Sequence, residues 1–273
     1  MEALLKYIEP LKETVKIIYD AEAIFAQREI ALLELKGEKV NKSLVKQKIE
    51  KEILLTNIAD TVISVSENDA QYFREYGTHD VRVLGHTIDI KPGSNQFAER
   101  KDLLFVGNLD YNESPNTDSL IWFINEVFPI VQQQIKGIKL NVVGSANAPI
   151  LKKIKNKSVV VHGRVNNTDK FYNQNRVFIA PTRFAAGIPF KIHEAAANGI
   201  PVVATKLLCH QLGWKNNEII IESECNATDF AKKVINLYND KTLWEQLQNN
   251  ALHLIKTEMS LDSYMHTIKR ILK

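Results

Sequence analysis

Apolar positions in this chain fall into short branched runs separated by amphipathic stretches, a pattern that predicts strands and helices in alternation. Leu4, Leu5, Ile8 and Leu11 recur at helical spacing over residues 1–13, with Pro10 as an end signal. Val15 to Asp20 predicts a strand ending on an acid. One long polar helix, or two, fills residues 21–57; its Leu33 to Ile53 portion alternates charge, and Gly37 is placed to break it. Thr61 to Val65 predicts a strand, Ser66 a helix cap, and Gly77 the end of the helix that runs to Tyr76. Val81 to Leu84 is a third strand. Residues 90–100, IKPGSNQFAER, have no periodicity and read as a linker. Beyond them the strand pattern returns at Leu103 to Asn108, Leu140 to Gly144, Val159 to Val165, Val177 to Ala180 and Val202 to Ala204. Trp122 and Phe123 lie in an amphipathic helix and read as core. Lys206 to Trp214 reads as an irregular loop and Ile219 to Ile221 as a short strand. Asp229 to Tyr238 and Lys241 to Lys256 are amphipathic helices, and Ser260 caps a final one over Leu261 to Leu272.

The densest chemistry lies in residues 181–205, PTRFAAGIPFKIHEAAANGIPVVAT. Here the pattern is strand, glycine-bearing loop, helix, strand. Such a unit is right-handed and parallel, and it takes ligands outside the carboxyl ends of its strands. Gly187 lets backbone approach a ligand closely. Pro189 suits a first helical turn, and Gly199 suits the helix's C-terminal end. Free amides and the helix dipole favour an anion at the start of Phe190 to Asn198. Lys191 and Glu194 are three apart and share one helix face. A cation beside a phosphate and a carboxylate beside a sugar hydroxyl describe a nucleotide-sugar site; a surface ion pair has the same spacing. Arg183 is near enough in sequence to supply a second cation.

At these residues the chain resembles glycosyltransferase family 4, which has the GT-B fold. Glu194 to Val203, EAAANGIPVV, is similar to that family's donor-site helix and its Gly-x-Pro-Val-Val continuation. Many members carry an earlier Glu where this chain has Ala186. A subgroup reads small-x-Gly-x-x-x-Lys-x-x-Glu-Ala instead, as this chain does through Gly187, Lys191, Glu194 and Ala195. Ala59 to Glu67, ADTVISVSE, and Tyr19 to Glu29, YDAEAIFAQRE, look like segments of the family's first domain. Gly107 and Tyr111, then Pro115, Asn116, Asp118, Trp122, Phe123 and Pro129, resemble a subgroup pattern that opens the second domain.

The resemblance implies an α/β, GT-B-like architecture. A truncated acceptor-side domain would span residues 1–89, with the linker over 90–100. A Rossmann-like donor domain would span 101–256, and residues 257–273 would close back onto the first domain. The first domain is expected to lack about three strands before Tyr19. Another segment or protein would then complete it. The implied reaction is retaining, metal-independent sugar transfer from a nucleotide-diphosphate sugar to a glycan, lipid or protein acceptor, as in polysaccharide biosynthesis. No cofactor or metal is implied beyond the donor. Lys191 and Glu194 take the catalytic positions. Gly107, Asn108, Gly163, Arg164, Arg183, Gly187, Ile188, Pro189 and Phe190 take the donor-binding ones, with Asn108 standing where many relatives have a phosphate-binding Arg. His162 faces a ligand or is a hydrogen-bonded strand histidine; Arg164 reaches the phosphates or base, or faces solvent. Two other readings remain: a non-catalytic module that binds a nucleotide-sugar or a partner, and an epimerase of the same architecture.

Composition narrows the classes. A chain of 273 residues bounds roughly one to two domains. The net charge of +3 gives no electrostatic footprint for nucleic acid. Cys209 and Cys225 have no metal or redox spacing, which fits reduced thiols in a cytoplasmic protein. No run approaches the ~18 apolar residues of a membrane span. The charged helical tract over Leu33 to Ile53 is a solvated face or a basic face resting on the inner side of an anionic membrane. No Gly-x-Gly-x-x-Gly follows a strand and no Gly-Lys-Ser/Thr loop occurs, which excludes the common dinucleotide and P-loop fingerprints.

Overall fold

The computed structural model describes residues 6–272. Leu4 and Leu5 of the expected first helix lie outside them; a helical stretch does continue through Leu11. The chain divides into two compact units, one built mainly on residues up to Thr87 and the other on Ile88–Arg183 with Pro189–Ser260.

The first unit carries strands β1 (Ile18–Ala21), β2 (Thr61–Ser64) and β3 (Val81–Val83), parallel and in that order. The β1 strand starts three residues later than the sequence pattern suggests. Between β1 and β2 lie two helices, α1 (Phe25–Leu35) and α2 (Lys42–Ile53). They part at Gly37, whose φ of 74° is a conformation that other residues rarely adopt. The start of α1 has no capping side chain of its own. The Glu52 carboxylate of α2 supplies one, accepting from the amides of Phe25 (2.8 Å) and Ala26 (2.7 Å). Asn41 caps α2 through the Leu44 amide. Ser66 caps α3 (Glu67–Glu75) through the Asp69 amide. Ile24, Ile49, Ile53, Val62 and Phe73 form the unit's core.

The second unit is a six-stranded parallel sheet in the order β6-β5-β4-β7-β8-β9. It begins with β4 (Lys101–Val106), followed by α4 (Pro115–Trp122), a π-turn (Phe123–Val127) and α5 (Phe128–Gln134). Then come β5 (Leu140–Val143), β6 (Val159–Gly163), α6 (Asp169–Gln174), β7 (Asn175–Ala180), α7 (Phe190–Ala197) and β8 (Val202–Thr205). The rest is α8 (Lys206–Leu212), β9 (Ile221–Ser223), α9 (Ala227–Asn239) and α10 (Lys241–Glu258). Phe123 stacks on Phe128 and meets Phe230 edge-on in one fully buried cluster, with Trp122 edge-on to Phe230. Each such side chain contributes roughly 1.5–3 kcal/mol by leaving water.

Three expectations change here. Lys206 to Trp214 is not an irregular loop: its first seven residues form α8, because Leu208 and Cys209 bury one side of a turn against the sheet. The last strand is Ile221–Ser223, two residues beyond the expected Ile219–Ile221. Residues 90–100 contain no strand or helix but are no free tether. The Lys91 amide bonds to the Ala197 carbonyl, and the Asn95 amide to Asn173. The Arg100 side chain is fully buried, donating to the carbonyls of Asn95 and Tyr172. The final helix, α11 (Leu261–Ile271), groups by its contacts with the first unit, where the Arg82 guanidinium donates to the carbonyls of Arg270 and Ile271.

Candidate active site

In the second unit the strand order reverses its direction of growth between β4 and β7. A parallel sheet opens a crevice at that point, outside the carboxyl ends of its strands. A cavity of about 650 Å³ lies there, lined by residues that include Gly107, Asn108, Asn116, Gly144, Ser145, Arg164 and the start of α7.

One wall is backbone. Gly144 follows β5 with φ 133°, and a Cβ on it would collide with the Gly107 carbonyl oxygen. A Cβ on Gly107 would in turn stand 2.9 Å from the side chain of Asn116. Gly144 is needed for the two loops to touch, and Gly107 for Asn116 to pack against its loop. Beside them a polar knot fixes the rim: the Asp110 carboxylate accepts from Ser145 Oγ (2.6 Å) and Asn147 Nδ2 (2.7 Å). Those bonds hold the Asp110 carboxyl below its ordinary range.

The opposite wall is the first turn of α7, and Pro189 is its N-cap rather than its first helical residue. Lys191 and Glu194 both line the cavity, as their spacing suggests. The Lys191 ammonium donates to Asn116 Oδ1 at 2.7 Å, reaches Thr182 Oγ1 at 3.5 Å and sits 5.2 Å from the Phe105 ring centroid. These partners are neutral, so burial pushes the Lys191 pKa down to about 8. Burial also raises the Glu194 carboxyl, an effect partly offset by the neighbouring Tyr172 hydroxyl. That hydroxyl is buried and has no hydrogen bond of ordinary geometry, so its contact with Glu194 is loose. Lys191 and Glu194 are not an ion pair with each other.

Of the other sequence candidates, Gly107, Asn108, Arg164, Pro189 and Phe190 line this cavity. Arg183, Gly163, Gly187 and Ile188 do not. Arg183 is no second free cation. Its guanidinium grips the Asp118 carboxylate through two nitrogens, with Nε at 2.8 Å. Gly163 ends β6 beside Arg164. Gly187 and Ile188 group with the first unit, where a Cβ on Gly187 would stand 2.7 Å from the Glu22 carbonyl. His162 is the hydrogen-bonded strand histidine: Nε2 lies 2.9 Å from Asn141 Oδ1, and its ring packs on Phe171. Asp110, Asn116 and Ser145 line the cavity without having been singled out. The signal for Asn116 was present, in the Pro-Asn-x-Asp run at the start of α4.

No group of three or more His, Cys, Asp and Glu side chains among the described residues is placed to hold a metal ion. No described helix is long and apolar enough to cross a membrane.

Comparison with known proteins agrees with the fold. A family model described as glycosyl transferases group 1 matches residues 100–240. An uncharacterized 44.6 kDa protein in the cps region of Klebsiella pneumoniae is 28% identical over 164 residues, 57% of this chain and 42% of that protein. Among solved structures, a TarM mutant of S. aureus in complex with Fondaparinux, alpha-GlcNAc-glycerol and UDP is similar. Its TM-score is 0.70 at 15% identity, over 86% of this chain and 48% of that one. Anabaena HepE in complex with UDP and glucose is similar at a TM-score of 0.72 and 14% identity, over 94% of this chain and 71% of that one. The chain thus spans about half the length of the first proteins it matches. Both solved structures share its α/β fold with parallel sheets, the GT-B architecture.

Proposed function

Since the chain belongs to the glycosyl transferases group 1 family, we propose that its second unit holds the donor for sugar transfer from a nucleotide-diphosphate sugar to a glycan, lipid or protein acceptor. The observation that carries this reading is the Lys191 ammonium, half-buried on the wall of a cavity that Gly107 and Gly144 also line, with only neutral partners. A buried, uncancelled cation is costly, and a bound anion offsets that cost. Lys191 and the first amides of α7 would take the diphosphate and stabilise the charge that develops as it leaves. Glu194 would hold ribose hydroxyls, and Arg164 would reach the phosphates or the base. In this reading the transfer retains configuration and uses no metal, as the family resemblance implies, with Lys191 and the helix terminus carrying the charge of the leaving diphosphate. UDP is the first nucleotide to try, being the one in the TarM and HepE complexes.

The proposal extends to polysaccharide biosynthesis in the cytoplasm, on the inner face of the membrane if the charged tract over Leu33 to Ile53 rests there. Transfer requires both substrates in one geometry, which can be worth ~7–11 kcal/mol of the barrier. With a first sheet of only three strands among the described residues, this chain should bind a nucleoside diphosphate and transfer sugar negligibly until another segment or protein completes the acceptor side. The test compares calorimetric UDP binding and UDP-sugar turnover in this chain with an N-terminally extended one. Robust, equal turnover in both would refute the incomplete acceptor side; absence of nucleotide binding in both would refute the donor site. Asn108 and Ala186, where the family resemblance leads one to expect Arg and Glu, favour a second reading as a non-catalytic nucleotide-sugar-binding module, which binding without turnover in the extended chain would establish.

A further inference from the structure

The first turn of α4 touches both cations of the segment that follows β7. Asn116 and Asp118 lie two residues apart there, after Ser114, which caps the helix by accepting from the Thr117 amide at 3.2 Å. Asn116 Oδ1 accepts from Lys191, while its Nδ2 donates to the Asn108 carbonyl at 3.3 Å. Its amide also stands 2.9 Å from where a Cβ on Gly107 would be. One side chain therefore ties the loop after β4 to the cation on α7. Asp118 does something different to Arg183. It forms a two-point carboxylate–guanidinium pair, both side chains about a quarter exposed, with the guanidinium 5.9 Å from the Trp122 ring centroid.

The chemical difference between an amide and a carboxylate decides what each cation can do. An amide oxygen orients an ammonium without cancelling its charge. A carboxylate cancels it and spends two of the guanidinium's donors. Among the described residues no carboxylate is paired with Lys191, whereas Arg183 is matched by one.

We propose that the Asn116 and Asp118 side chains sort these two cations: Asn116 is a positioning residue that aims Lys191 into the cavity with its charge intact, and Asp118 converts Arg183 into a strut. The inference rests on the donor-site reading above for the identity of the anion, a nucleoside diphosphate. It adds that the amide at residue 116 sets both the direction and the charge of the group that meets it. Asn116 touches no reacting atom in this assignment and acts through Lys191.

The test uses the full chain and two variants. Asn116→Asp is close in shape and places a carboxylate on Lys191; Asn116→Ser shortens the contact without adding charge. Lysines are tagged by reductive ¹³C-methylation, with Lys191→Arg identifying the Lys191 resonance, and titrated by NMR without ligand. UDP binding is then measured by calorimetry at pH 7 and pH 9. In the parent chain, affinity should fall several-fold from pH 7 to pH 9 as Lys191 loses its proton. Asn116→Asp should raise the Lys191 titration midpoint by more than one pH unit, weaken UDP at least tenfold at pH 7 and flatten its pH dependence. Asn116→Ser should weaken UDP while keeping the pH dependence. Parent-like UDP affinity in Asn116→Ser would overturn the assignment even if Asn116→Asp failed to fold, and an unmoved Lys191 midpoint in a folded Asn116→Asp would overturn it as well. If UDP bound none of the proteins, the nucleotide reading would fall, and the ligand-free titration would still decide whether Asn116 governs Lys191.

Discussion

Gly144 and Gly107 stand back to back, the carbonyl oxygen of one occupying the space where a side chain of the other would be. The contact joins the loops after β4 and β5 and shapes the backbone wall of the cavity. Gly144→Ala meets both a collision with backbone and the strain of φ 133°. It should lower stability by roughly 2–4 kcal/mol. Urea denaturation should show an earlier midpoint with an unchanged slope; a parent-like midpoint would show that the loops part without cost.

Lys191→Ala should weaken nucleoside diphosphate binding by roughly one to two orders of magnitude, the worth of one charge-assisted contact. The sign with pH follows from its pKa of about 8. The ammonium is present below that value and lost above it, while the diphosphate stays ionised throughout. Affinity in the parent chain therefore declines above pH 8, and the Lys191→Ala profile is flat. Equal affinities in calorimetry at pH 7 would remove Lys191 from the site.

Asp118→Ala strands the Arg183 guanidinium, which is only partly exposed. The expected cost is about 1–3 kcal/mol, from lost hydrogen bonds and a cation left partly desolvated. Adding Arg183→Met, which removes that cation, should recover part of it. Thermal unfolding of the single and double variants measures the recovery; none at all would mean that the pair holds nothing in place.

The first unit should lose stability as pH rises through the acid range. Burial lifts the Asp69 carboxyl to about 6, and one of its oxygens is buried without a partner. An acid whose folded pKa lies above its unfolded value binds its proton more tightly when folded. Its stabilisation is complete below pH ~4 and is lost by pH ~6, a swing of roughly 2–3 kcal/mol. Asp69→Asn keeps the shape without the charge and should flatten the dependence. Unfolding of the first unit followed at pH 4.5 and pH 7 in both proteins checks this; identical slopes would acquit Asp69.

The sequence pattern sufficed for the alternation of strands and helices because parallel strands buried on both faces leave unbroken apolar runs such as Val177 to Ala180. Helical spacing put Lys191 and Glu194 on one face, and the family resemblance singled that face out. The contacts they make were not legible. Asn116 is 75 residues from Lys191 and meets it only because β4 and β7 are adjacent. Asp118 cancels Arg183 across a similar gap, which no local pattern reveals. The helix α8 escaped notice because seven residues carry little periodicity, and packing on β8 and β9 decides their conformation. The two-residue shift of β9 has the same origin. An apolar run marks a strand, but its partner's register sets where pairing starts, here Val203 with Ile221.

The position of β4 also bears on how the chain reaches its fold during synthesis. Leu103 is paired on one side by Leu140 and on the other by Val177, about 70 residues downstream. At ~5–20 residues per second, the ribosome leaves the hydrogen-bonding edge of β4 open for several seconds after β5 has emerged. That edge is flanked by Leu103, Leu104 and Phe105, all fully buried in the finished protein. A nascent half-sheet of this kind is a template for pairing with other chains. The strand that ends at the cavity is thus also a place where the newborn polypeptide is exposed to aggregation, and slow translation between residues 144 and 180 would lengthen that exposure.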